Sequence, residues 1–224
     1  MTKPLRAALE LIGTTLPDFK KILEIGSRYE RNEKEWADVK KVFHKKDNYV
    51  GVDIFPGNGV DLVANAENLP FKDHTFDLIL CFETLEHTKK PWVIAKEIKR
   101  VLKKSGILIV STPFNHPLHF HPSDYYRYTP YGLAELFNFI QNKLIFSISP
   151  PYLNETKIHP QTVVFIGFSK NDKKLKRKIK NVLLNNKNMI SIHKPYRHRV
   201  MDMLKYFGRG VNELTFKQDV VFFE

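Results

Sequence analysis

Five apolar runs of strand length, Lys21–Gly26, Tyr49–Asp53, Asp61–Val63, Phe76–Cys81 and Gly106–Ser111, alternate along the first half of the chain with segments of helical spacing. Strands that are apolar on nearly every residue need cover on both faces, and helices crossing from one parallel strand to the next supply it. The clearest crossover helix follows Pro91. There Ile94, Ile98, Val101 and Leu102 fall at i, i+4, i+7 and i+8, with Ser105-Gly106 as the expected stop. Leu5–Ile12, Glu30–Phe43 (Trp36, Val39 and Phe43 toward the sheet) and Pro130–Ile140 behind Thr129 as N-cap read as further helices. Leu144–Ser149 and Val163–Ser169 read as two more strands. The expectation is an α/β fold with a doubly wound, mostly parallel, seven-stranded sheet.

Within that frame, strand ends matter most, because ligands of such sheets sit at the carboxyl ends of the strands. The second run ends on Asp53 and the third on Asn65-Ala66-Glu67, 12 positions later. A carboxylate at the tip of the second strand is placed to accept both hydroxyls of a ribose, and polar groups one strand over can meet an adenine edge. The first run, Lys21-Ile22-Leu23-Glu24-Ile25-Gly26-Ser27, ends in an acid, a glycine and a turn, where backbone can approach a ligand closely.

Taken in order, KILEIGS, VGVDIFP, NAENLPFKDHTFDLILCFETLEH and EIKRVLKKSGILIVSTP resemble the class I S-adenosylmethionine-dependent methyltransferases, in particular the methyltransferase type 11 group. The resemblance covers roughly residues 20–137. It implies the Rossmann-like methyltransferase fold and S-adenosylmethionine as cofactor, with Glu24 and Gly26 beside its methionyl end and Ser27 also among the cofactor-binding residues. It also implies Asp53 on the ribose, Ile54 packed on the adenine, Asn65 and Ala66 at the adenine edge, and Phe82 lining the pocket near the sulfonium. The family's first loop usually reads E-x-G-x-G-x-G, whereas here Arg28 and Glu30 stand where the second and third glycines would be. Arg28 is therefore expected to offer its guanidinium to the cofactor carboxylate in place of close backbone approach. A nicotinamide-dependent oxidoreductase shares the ribose-binding acid but needs further glycines after Gly26, and no tyrosine here is followed four residues later by lysine.

A second candidate site is Pro113–Gly132, the loop after the fifth strand, with His116, His119, His121, Asp124, Tyr125, Tyr126, Arg127 and Tyr128. We expect it to hold the methyl acceptor. His119 or His121 would act as base, His87 either as a base or as a cap of the following helix, Asp124, Arg127 and the tyrosine hydroxyls would grip polar groups, and Tyr125 or Tyr126 would stack on a sugar or ring. Prolines interrupt the histidine spacing and no matching Cys/His set accompanies it, so no metal is expected there.

The basic charge lies in the tail: residues 169–224 hold 14 basic against 5 acidic residues, and the 168 before them 22 against 19. The expected division is 1–169, a cofactor-binding domain, and 170–224, a basic extension packed on or beside it. Within that extension, helices near Lys173–Leu184 and Val200–Phe207 and an edge strand at Asp219–Phe223 are expected. Cys81, the single cysteine, reads as a buried reduced thiol; with no apolar run of membrane length and no secretory leader, a cytoplasmic protein is expected. The expected function is methyl transfer to a hydroxyl or carboxyl of a small metabolite or glycan precursor. The alternatives are a catalytically inactive cofactor-fold binding module, or an RNA methyltransferase that uses the basic tail as a clamp.

Overall fold

The computed structural model describes residues 1–30, 37–43, 48–148, 161–168, 170, 172–186, 190 and the backbone of 220–223. In chain order the elements are α1 (Lys3–Thr15), β1 (Ile22–Ile25), α2 (Lys40–Phe43), β2 (Tyr49–Asp53), β3 (Leu62–Val63) and β4 (Phe76–Phe82). A 3₁₀ turn (Leu85–His87) leads to α3 (Pro91–Val101), β5 (Leu102–Pro113), α4 (Pro130–Leu136), β6 (Asn142–Ile148), β7 (Thr162–Phe168), α5 (Lys173–Asn185) and β8 (Val220–Phe223). The strands form one sheet in the order β3-β2-β1-β4-β5-β7-β6-β8. β3, β2, β1, β4 and β5 pair in parallel, and β7, β6 and β8 add on through antiparallel pairings. The order reverses direction at β1, so the crevice between β1 and β4 is where a ligand of such a sheet belongs.

Burial follows the apolar runs. All four residues of β1 and all seven of β7 are buried, and each face of the sheet has its own core. One face packs Ile22, Leu78, Leu80, Ile109 and Phe146 under Leu5, Leu9 and Ile12 of α1. The other packs Leu23, Ile25, Ile79 and Val110 under Ile94, Ile98 and Val101 of α3 and Leu133 and Phe137 around α4. The cap expected from sequence is made, the Thr129 hydroxyl accepting from Gly132 N at 3.0 Å, and Asp172 caps α5 by accepting from Leu175 N at 2.8 Å.

Two expectations change. Ser105-Gly106 does not stop α3, which ends at Val101; Leu102 enters β5 directly and pairs with Phe76, before an irregularity shifts the register to Leu78–Ile107. The sheet has an eighth strand, because the expected edge strand pairs with β6 and extends the seven-stranded core. Ile179 and Leu183 of α5, in the basic extension, are buried in the same cluster as α1. Val39 and Phe43 are buried as expected, whereas Trp36 and the helix expected at Val200–Phe207 lie outside the described residues.

Candidate functional site

At the carboxyl edge of β1 the chain turns on Gly26, at φ +76. The amides of Gly26 and Ser27 both donate to Val52 O, at 2.8 and 3.1 Å, which pulls this loop against the end of β2. A Cβ at Gly26 would lie 2.0 Å from Thr84 Oγ1, so the loops after β1 and β4 meet with no room for a side chain. The missing second and third glycines are explained by the loop's own path: Tyr29 N donates to Asn58 O at 3.1 Å, stitching this loop to the one after β2.

Asp53 ends β2 with a half-exposed carboxylate held by two backbone amides, Phe55 N at 3.0 Å and Arg28 N at 3.3 Å. Ile54 and Phe55 beside it are 57% and 54% exposed, an uncovered apolar surface next to an oriented carboxylate. Asn65 Oδ1 accepts from Glu67 N at 2.9 Å and shapes the turn after β3, with Ala66 half-buried beneath it. The Ser27 hydroxyl is buried and has no hydrogen-bond partner among the described residues.

Three expected cofactor residues have partners within the chain. Glu24 is buried within β1; the Tyr49 hydroxyl donates to its carboxyl, and burial pushes the Glu24 pKa up to about 8. Phe82 is the last residue of β4 and packs in the core with its ring 6.3 Å from that of Phe43. Arg28 pairs with Glu30 at 3.0 Å and runs over Gly57, so meeting a cofactor carboxylate requires it to exchange that partner.

The other half of the site is built by the segment after β4 and the loop after β5. Glu83 sits at φ +47, where a non-glycine residue is strained, and its carboxylate accepts from Ser111 Oγ at 2.9 Å. Glu86 O accepts from Tyr125 N at 2.7 Å and Tyr126 N at 3.3 Å, tying the two segments together. Its side chain is fully buried, and no other described residue hydrogen-bonds to either carboxylate oxygen. Burial raises the pKa of both Glu83 and Glu86. His87 Nδ1 lies 2.5 Å from Ser123 O, and burial lowers the His87 pKa. The His119 ring stacks edge-on against His87 at 4.8 Å, with its Nδ1 3.2 Å from Asp124 Oδ2.

The residues expected to grip the acceptor also engage one another. Asp124 and Arg127 face each other in a two-pronged contact at 2.5 and 2.8 Å, and Arg127 also donates to Tyr126 O, Pro117 O and His116 O. The pair is a clamp that fixes the loop, and the Arg127 contact holds the Asp124 carboxyl well below the usual range. Tyr126 is likewise engaged, donating to Lys89 O at 3.1 Å, whereas Tyr125 is 39% exposed with Lys89 Nζ 6.0 Å from its ring centre. His121 is exposed at the loop tip. Sequence reasoning singled out His87 but missed Glu83 and Glu86 in the same Glu-Thr-Leu-Glu-His run; two acids three apart directly after a strand end were the available signal.

The residues at the β1–β2 edge suit the nucleoside end of S-adenosylmethionine. Asp53 offers a diol acceptor, Ile54 and Phe55 offer faces for a flat ring, and Ser27 offers a buried hydroxyl still lacking a partner among the described residues. Residues 23–110 match the family described as "Methyltransferase domain". Over 49 residues the chain is 51% identical to "Uncharacterized protein MJ0638" of Methanocaldococcus jannaschii, covering 22% of this chain and 21% of that one. Over 99 residues it is 30% identical to "Probable S-adenosylmethionine-dependent methyltransferase Rv3030" of Mycobacterium tuberculosis, covering 44% of this chain and 33% of that one. The matched stretch thus spans a fifth to a third of these relatives' length. Among solved structures, a "SAM-dependent methyltransferase, possible histamine N-methyltransferase" of Thermotoga maritima superposes with a TM-score of 0.55 at 23% identity, covering 75% of this chain and 89% of that one. Residues 23–110 thus resemble a methyltransferase domain, and the strand order with its antiparallel end and the glycine turn facing an acidic strand tip agree with that similarity.

Proposed function

We propose that the protein transfers the methyl group of S-adenosylmethionine to an oxygen, hydroxyl or carboxyl, of a small metabolite or glycan precursor. The observation that carries this reading is the oriented, half-exposed Asp53 carboxylate beside exposed Ile54 and Phe55, on the same edge of the sheet as the Glu86–His87–His119 cluster. Bound there, the cofactor supplies a methyl already activated on a sulfonium. The chain's task is then to align an acceptor, exclude water and take up a proton.

Asp53 holds the nucleoside end, Ile54 and Phe55 cover its ring, and the backbone at Gly26 meets the methionyl end. The acceptor lies under the loop after β5, where Tyr125 offers a stacking face and the cluster receives the proton of the acceptor's hydroxyl. His121, which is exposed, is a second candidate base for an acceptor entering from solvent. The exposed Leu118, Phe120 and Tyr125 suit a ring or sugar face, which is why a glycan precursor is favoured within the small-molecule class.

The test is release of S-adenosylhomocysteine from purified protein incubated with cofactor and panels of hydroxyl, carboxyl and amine acceptors. Turnover with an oxygen acceptor, slowed in His119→Ala at unchanged cofactor affinity, is expected. Turnover confined to amines, or a His119→Ala variant unable to bind cofactor, contradicts the reading.

A further inference from the structure

We propose that Glu86, His87 and His119 bind one divalent transition-metal cation between the segment after β4 and the loop after β5. Each residue offers one ligand atom, and these atoms lie within 4.8 Å of one another, with His87 Nε2 3.8 Å from Glu86 Oε1. Ligands 2.0–2.1 Å from a tetrahedral zinc stand about 3.3 Å apart, so closing on an ion takes only small side-chain movements.

Two independent features point to a ligand. The first is the orientation of both imidazoles. His87 Nδ1 can only donate to the Ser123 carbonyl, and His119 Nδ1 faces the Asp124 carboxylate and the Pro117 carbonyl at 3.3 Å. In each neutral ring this leaves the lone pair on Nε2. Backbone carbonyls and carboxylates on the far nitrogen are what orient histidines that bind metals, and the Arg127 clamp holds Asp124 in turn. The second is Glu86 itself, a fully buried carboxyl with no hydrogen-bond partner outside its own residue among those described. A buried polar group left so is unfavourable, and a cation accounts for it.

Two imidazoles and a carboxylate suit zinc, cobalt or manganese better than calcium or magnesium. Three protein ligands also leave positions open to an oxygen of the acceptor. That last step rests on the function proposed above: the ion would bind the acceptor's hydroxyl or carboxyl and make a hydroxyl easier to deprotonate. The metal-free expectation considered only the histidines of one loop, whereas two of the three donors come from the segment after β4.

The test uses the full chain, freed of metal with a chelator and titrated with cobalt(II) chloride by visible absorption and with zinc chloride by calorimetry. One saturable site per chain is expected, with cobalt bands of a nitrogen–oxygen environment. His119→Ala and Glu86→Gln should weaken binding at least about 100-fold, Asp124→Asn about 10- to 100-fold, and His74→Ala, remote from the cluster, not at all. Should Glu86→Gln fail to fold by circular dichroism, His119→Ala decides. Absence of cobalt bands in the folded wild type, or equal affinity in wild type and His119→Ala, overturns the site. Calorimetry with S-adenosylmethionine on the same samples keeps the two readings apart. Metal binding without cofactor binding defeats the methyltransferase function and leaves this site standing; cofactor binding without metal binding does the reverse.

Discussion

Replacing Glu24 by glutamine isolates the energetic effect of a carboxyl buried beneath the cofactor edge. The side-chain amide of the Glu24→Gln variant would retain an acceptor for the Tyr49 hydroxyl but could not ionise. With the folded pKa pushed up to about 8 by burial, against an ordinary 4.5, the folded chain keeps a proton that the unfolded chain has released. The stabilisation is therefore fully present below about pH 4.5 and is lost as pH rises toward about 8. At about 1.36 kcal/mol per pH unit, wild type should lose roughly 3 kcal/mol more than Glu24→Gln between pH 5 and pH 7.5. Glu83 and Glu86 shift in the same direction, but they are common to both proteins and cancel in the difference. Urea unfolding followed by circular dichroism across that range reads it directly, since the effect is large against a typical stability of about 5–15 kcal/mol. Stability curves for the two proteins that run parallel within about 0.5 kcal/mol would refute the reasoning.

Gly26→Ala should destabilise the fold by about 2–4 kcal/mol, because a side chain at this positive φ is strained and Thr84, whose hydroxyl donates to Phe82 O at 2.9 Å, has to move; a melting curve like that of wild type would contradict the close approach. Arg127→Lys should leave global stability within about 1 kcal/mol yet speed hydrogen exchange at His119 N and Tyr125 N, which the clamped loop holds on Asp124 and Glu86. Unchanged exchange at those amides would show that the loop does not depend on the clamp.

The parallel half of the sheet was legible because strands buried on both faces must be apolar at nearly every position, and β1 and β4 are. The acid at the tip of β2, Asp53, was legible for a related reason: a charged residue at the end of such a run marks a strand tip. The start of β5 was not, since Lys103, Lys104 and Ser105 look like a helix end in sequence while the strand register bulges to accept them and Lys103 pairs with Asp77 at 2.8 Å. Arg127 read as a group for ligands because its partner, Asp124, is only three residues away, and nothing in the sequence says that both side chains turn toward each other. The metal-like cluster escaped because its donors come from two loops that meet through backbone bonds to Glu86 O, a contact between residues 39 and 40 positions apart.

Isothermal titration of S-adenosylmethionine into wild type and Asp53→Ala bears most directly on the assignment. Wild type should bind one cofactor per chain, and the variant, folded by circular dichroism, should bind at least about 100-fold more weakly after losing two charge-assisted hydrogen bonds to the ribose. No heat from folded wild type at high micromolar cofactor, or equal affinity in the two proteins, would contradict the placement of the nucleoside on that carboxylate.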